Sequence, residues 1–205
     1  MANPNAPSGL SPVAHLNGSK WNGQAHMYCI LSADGNAYSV GDPVKTSANA
    51  DANGIPAVTL ASAGSPFRGV IVAVGTNAQG GPFIDPTNLT LVSIPATKTK
   101  NYYVAVVDSP DVIFEIQEVN SGTAGTATSM NKNANFVYAA PAAGVAVSGV
   151  TLDNTTYATT STLNLRVMGV VQRPYSTITN TPFALAQRLL VLINSHDLAG
   201  NTAGT

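Results

Sequence analysis

The stretch from Tyr102 to Glu118, YYVAVVDSPDVIFEIQE, contains two short runs in which side chains alternate, Tyr102 to Val107 and Val112 to Val119. A period of two belongs to the β-strand, whose successive side chains point to opposite faces. In the second run Val112, Phe114 and Ile116 fall on one face, with Ile113, Glu115, Gln117 and Val119 on the other. Leu163 to Val171 repeats the design: Leu163, Leu165, Val167 and Val171 share one side, and Asn164, Arg166, Met168 and Gln172 are opposite. Each strand thus sets one charge in a mostly apolar or neutral neighbourhood. Since an unpartnered half-buried charge is costly, Glu115 is expected to pair with Arg166 or Arg188; the alternative is that all three face water.

Working outward, Leu89 to Ile94, Asn135 to Tyr138, Val145 to Leu152 and Leu185 to Ile193 read as further strands between Gly- and Thr-rich loops. Strands at that spacing predict a β-sandwich or jelly-roll unit over residues 89–198. Upstream, residues 25–76 read as a smaller, barrel-like β unit. Met27 to Leu31 ends at Asp34-Gly35-Asn36, Tyr38 to Val40 ends at Gly41-Asp42-Pro43, and Ala57 to Leu60 follows Asn53-Gly54. Gly and Asn accept the positive φ that tight turns need. Phe67 to Val74 is nearly all apolar, as in a strand buried on both faces.

Residues 77–88, with Gly80-Gly81-Pro82 and Asp85-Pro86, read as a connection, and 199–205 as a tail. Residues 1–24 hold Pro4, Pro7 and Pro12 and little periodic apolar pattern, so they read as an extended N-terminal arm, unable to form a helix or a central strand alone. The arm is either loose or a strap over a neighbouring subunit with Trp21 as anchor; as a strap, removing residues 1–22 is expected to leave the fold intact. The predicted class is all-β: a jelly-roll or β-sandwich, a smaller N-terminal barrel-like unit and an extended arm.

Composition narrows the function. At 205 residues a chain buries about 70% of its unfolded surface and folds without staples. Only 9% of residues are charged, against roughly 25% in average soluble domains, with Ser, Thr, Asn, Gly and Ala in their place. Charge is depleted at interface centres, so the chain reads as an assembly component, or else as a secreted β module with a polar uncharged surface. Net charge is -1 and the nine basic residues are scattered from Lys20 to Arg188, which argues against nucleic-acid binding by clustered cations. Cys29 is alone, so no intrachain disulfide forms. No secretory leader is evident and no run approaches the ~20 apolar residues of a membrane span, so synthesis in a cytoplasm and a soluble product are expected.

Catalytic and metal chemistry finds little support. Ser195-His196-Asp197 spells a triad, yet neighbours on extended chain project to opposite sides. His15, His26 and His196 lack ligand spacing, and one Cys allows no usual zinc site. Asp51 to Gly54 begins like a calcium loop, but Ser62 stands where the twelfth-position Glu is required. Glu115 and Glu118 are the only glutamates, poorly placed for a glycosidase pair. Neither an enzymatic role nor a cofactor is expected.

The run Asp85-Pro-Thr-Asn-Leu89, followed by Asp108-Ser-Pro-Asp-Val-Ile-Phe-Glu-Ile-Gln-Glu118, resembles a "DPxNL" turn and "DDPDVIFEIQE" strand of phage structural proteins. Leu165 to Pro174 and Leu190 to His196 are similar to that family's "LRVLGLVDRPDN" and "LVxINxH" segments, in the same order. Gly41 to Lys45 and Arg68 to Ile71 add a weaker likeness. Ser109 and Gln172 depart from the pattern at usual Asp positions, which argues against an acidic binding site there and leaves a structural role intact. The resemblance, over residues 85–198, implies a cement or decoration protein of a short-tailed phage head. Such a protein sits on the outer capsid surface of the virion as a homodimer or homotrimer and clamps neighbouring major capsid proteins against packaged DNA. Contact is expected from Pro4, Pro7, Pro12 and Trp21 of the arm, from exposed sheet edges, and from the low-charge loops 120–134 and 153–162.

Two other readings share parts of this pattern. A head-tail or tail-tube subunit has the same β-rich, low-charge character. A carbohydrate-binding jelly-roll module needs grouped exposed aromatics, for which Trp21, Tyr102, Tyr103, Tyr157 and Tyr175 are the candidates.

Overall fold

The computed structural model describes residues 3–76, 93–138, 147–172, 180–199 and 204. Its described residues are all-β, with one short 3-10 turn, Ala127–Ser129. The strands are β1 (Ser11–His15), β2 (His26–Ile30), β3 (Tyr38–Ser39), β4 (Pro43–Ala50), β5 (Pro56–Leu60), β6 (Gly69–Thr76), β7 (Ser93–Ile94), β8 (Tyr102–Val107), β9 (Val112–Gln117), β10 (Asn133–Ala134), β11 (Phe136–Val137), β12 (Thr151–Leu152), β13 (Leu165–Val170) and β14 (Arg188–Ile193). The connection expected at 77–88 lies outside the described residues.

Strands β2, β5, β4, β6 and β8 close into a barrel, and β1, β9, β14, β13 and β10 form a five-stranded sheet in that order. The barrel's pairings are antiparallel except for its closing seam, where β2 meets β5 in parallel through Cys29 and Ala57. Strand β8 comes from beyond the 77–88 connection yet pairs with both β2 and β6. Barrel and sheet therefore do not follow one another along the chain as separate blocks. Strand β4 went unread because PVKTSANA has neither alternation nor an apolar run; it is buried at its start and exposed at its end.

Two cores result. One fills the barrel lumen with Tyr28, Ile30, Tyr38, Val44, Val58, Ile71, Val74, Ile94, Val104 and Val106. The other lies between barrel wall and sheet, where Phe67, Val70 and Val107 pack with Phe114, Ile116, Leu165, Val167, Leu189 and Val191. Strand β6 serves both, Ile71 and Val74 facing the lumen and Val70 the shared core. That division explains the unbroken apolar run read there.

The N-terminal segment is part of this fold, which corrects the expectation that residues 1–22 can be removed without harm. Strand β1 pairs with β9, Pro12 lying opposite Phe114. Proline is tolerated at this place because β1 is the sheet's edge. Leu10 is buried in the shared core and Trp21 packs against it. Gly9 crosses Gly41 so closely that a Cβ on Gly9 would lie 2.4 Å from the Gly41 carbonyl oxygen, and Gly9 has φ +68°. Only glycine satisfies both demands.

Candidate docking face

Strand β9 presents its polar side chains to the outside of the sheet, and each is covered. Arg188 on β14 donates to Glu115 at 3.2 Å and, through its other guanidinium nitrogen, to the Ala6 carbonyl at 2.9 Å. Gln117 accepts from the Ala6 amide at 2.9 Å and donates to Asn5 at 2.8 Å. The residues expected to be a strap on another subunit thus lie across the strand bearing Glu115. Arg166 is half-buried on β13, opposite Asn133 and Leu192. Pro4 is exposed, Pro7 and Pro12 are half-buried, and the Trp21 indole donates to the Gln24 carbonyl at 3.2 Å.

One residue further along, Glu118 is fully buried. Its carboxylate accepts from the Gly125 amide at 2.8 Å, the Tyr157 hydroxyl at 2.7 Å and the Gln187 side-chain amide at 3.0 Å. A buried carboxyl group whose oxygens accept several such bonds has its hydrogen-bonding capacity met without a cation. The three donors come from three loops, 120–134, 153–162 and 180–187. Burial, and then the bond to Glu118, push the Tyr157 hydroxyl well above its ordinary pKa, so it stays a donor. Gln187 also donates to the Gly125 carbonyl and accepts from the Phe183 amide. From the N-terminal segment, Asn3 donates to the carbonyls of Thr181 and Leu185 and accepts from the Thr181 amide.

These loops hold every positive-φ residue other than glycine among the described residues: Asn131 at 64°, Phe183 at 59° and Ala186 at 58°. For a bulky side chain this conformation costs about 1–2 kcal/mol, and such strain persists where surrounding bonds enforce it. Ala186 is buried, whereas Phe183 is 47% exposed. The loops 120–134 and 153–162 carry Lys132 and Asp153 as their only charges. The result is a bonded, low-charge set of loops, with Phe183 exposed on the third of them. Sequence reading found the two loops but missed Glu118, Gln187, Asn3 and Phe183. The available signal was a carboxylate closing an otherwise buried strand.

Elsewhere polar residues serve the fold. Ser195 is buried, and the His196 ring is fixed by accepting from the Leu198 amide at 3.0 Å and lying 3.0 Å from the Asp108 carbonyl, so no relay links the three. Asp51 accepts from the amides of Asn53 and Ile55, closing a turn. His15 sits 3.1 Å from Asp111 and His26 2.7 Å from Asp108. Among the described residues no group of three or more His, Cys, Asp or Glu could hold a metal ion, and no helix is long and apolar enough to cross a membrane. Of the aromatics considered for glycan stacking, Tyr103 is buried and bonded to Asp51, Tyr157 is bonded to Glu118, and Tyr175 lies outside the described residues. No family model, no curated protein and no solved structure matches this chain.

Proposed function

We propose that the protein is a structural virion component that docks on the outside of an icosahedral phage head and cements neighbouring major capsid proteins. The sequence resemblance raises the idea, and the observation that supports it best is the low-charge set of three loops organised by Glu118. Rigid aromatic anchors with little entropy to lose make strong contacts, and a surface with few charges gives up little solvation when covered. In this reading the sheet unit is the jelly-roll-like body and the barrel its smaller companion. Homodimers or homotrimers would repeat modest contacts of roughly 800 Å² per partner into strong avidity. A protein that binds only the assembled shell adds its binding energy to shell stability.

The test is a titration of purified protein against empty, expanded heads, with copies per shell counted and the rupture temperature recorded. Binding in hundreds of copies with a raised rupture temperature is expected. A dozen copies or fewer would replace cementing by the head-tail or tail-tube role, in which a ring occupies one vertex.

A further inference from the structure

The chain contains three asparagine–glycine pairs, Asn17-Gly18, Asn22-Gly23 and Asn53-Gly54. In such a pair the glycine nitrogen can attack the asparagine side-chain carbonyl carbon, because no Cβ on the glycine hinders the approach. The attack needs a free glycine amide and a side chain able to turn toward it. Two of the pairs are held against it. The Gly18 amide donates to the His15 carbonyl at 2.9 Å, while the Asn17 Oδ1 accepts from the Ser19 amide and hydroxyl. The Gly54 amide donates to the Asp51 carbonyl at 3.1 Å, and Asn53 Nδ2 donates to Asp51 at 3.2 Å.

Asn22 and Gly23 differ. Both are exposed, Gly23 has φ +90°, and among the described residues neither the Asn22 side chain nor the Gly23 amide makes a hydrogen bond. They sit in the turn that the Trp21 indole closes onto the Gln24 carbonyl. A cleft of about 440 Å³ lined by Gln24, Ala25, His26, Asp108 and Ser109 borders this turn.

We propose that Asn22 is a self-modification site, the first position at which this protein deamidates. The Gly23 nitrogen bonds to Asn22 Cγ and gives up its proton, and the Cγ–Nδ2 bond breaks to release ammonia. Water then opens the cyclic imide at either carbonyl, leaving aspartate or isoaspartate. The balance is one water in and one ammonia out, with no oxidant or cofactor. The product carries a new carboxylate, and in the isoaspartate form an extra methylene enters the backbone of the Trp21–Gln24 turn. Trp21, the only tryptophan, reports on that turn.

The experiment incubates the full chain at mildly alkaline pH and follows tryptic peptides over time. Cleavage after Lys20, Lys45 and Arg68 separates the three pairs into peptides 1–20, 21–45 and 46–68. Peptide 21–45 should be the first to gain the mass of exchanging an amide for an acid, with fragmentation placing the change at Asn22. An acid-shifted species and a changed Trp21 emission should grow in step, and Asn22→Gln should suppress all three signals. Earlier conversion of peptide 1–20 or 46–68, an unchanged peptide 21–45, or a mass gain that persists in Asn22→Gln would overturn the assignment. Constant Trp21 emission during conversion would overturn its coupling to the turn.

Discussion

The barrel and the five-stranded sheet bury polar groups in different ways. On the barrel side many turn-closing bonds have partners close in sequence: Asp34 accepts from the Asn36 amide and the Tyr38 hydroxyl, and Asp51 from Asn53 and Ile55. Longer reaches occur here too: the fully buried Lys98 side chain donates to the carbonyls of Asp34 and Asn36, the Tyr103 hydroxyl to Asp51 and the Tyr28 hydroxyl to Asp108. On the sheet side the bonds reach across the chain, from Asn3 to Thr181, Gln117 to Asn5, Gln187 to Glu118 and Asn164 to Ser65. Local bonds form as soon as a turn forms. Long-range pins form only once the fold is complete, and they can then hold strain that no local preference favours. That is why the positive-φ Phe183 and Ala186 sit on the sheet side.

The largest expected effect tests the N-terminal pins. Removing residues 1–10 withdraws Leu10 from the core and uncovers Glu115, Gln117 and Arg188. Losing a buried leucine costs about 2–5 kcal/mol and each stranded polar group about 1–3 kcal/mol more. Denaturant unfolding should show a loss above ~5 kcal/mol by these two effects together; a loss within ~1 kcal/mol would mean that the segment is a dispensable arm after all. Next comes Phe67→Ala, in the core that barrel and sheet share, where Phe67 meets the Phe136 ring edge-on at 5.7 Å. It should cost about 3–5 kcal/mol, with barrel and sheet probes still melting in one transition. Two separate transitions would break the shared-core account.

Glu118→Gln sharpens the contrast at smaller cost. The amide still accepts on its oxygen, but its nitrogen meets the Gln187 donor, and leaving that buried donor unsatisfied costs about 1–3 kcal/mol. Chemical shifts should move in loops 120–134, 153–162 and 180–187 and stay in place in the barrel lumen. Movement in the lumen would show that the hub is not confined to the sheet side.

The comparison also explains what could be read in advance. Alternation placed β8, β9, β13 and β14, because each packs one face on a core. Asp-Gly and Asn-Gly pairs placed the barrel turns, because their chemistry acts within a few residues. Strand β4 was invisible, since its pairing with β5 and β6 requires neighbours rather than pattern. Residues 3–10 looked unstructured for the same reason: what orders them is Gln117 and Arg188, over a hundred positions away in sequence. Glu118 was legible as a charge, but its three donors were not.

Phe183→Gly separates strain from function. Glycine accepts φ 59° without penalty, so the variant should be stable to within about 1 kcal/mol of the parent, the relieved strain offsetting lost apolar contact. Head binding should nevertheless fall, since the ring is gone. Undiminished binding would remove Phe183 from the docking face.

The smallest effect is titration of His196. Burial is the main cause holding its pKa below the ordinary 6.5. Its Nδ1 accepts from the Leu198 amide, leaving Nε2 to donate to the Asp108 carbonyl, a tautomer satisfied only while the ring is neutral. A proton on Nδ1 would face the Leu198 amide donor, and the Asp197 carboxylate 3.8 Å away offsets only part of the burial cost. Above pH 6.5 the ring is neutral in folded and unfolded chains alike, and this contribution to stability is complete. As pH falls below 6.5 the unfolded chain takes up a proton that the folded one refuses, so stability declines until the lower folded pKa is passed. Melting curves between pH 7.5 and 5 should carry this acid-side slope, and His196→Gln should flatten it. A slope unchanged by that substitution would assign the titration to another group.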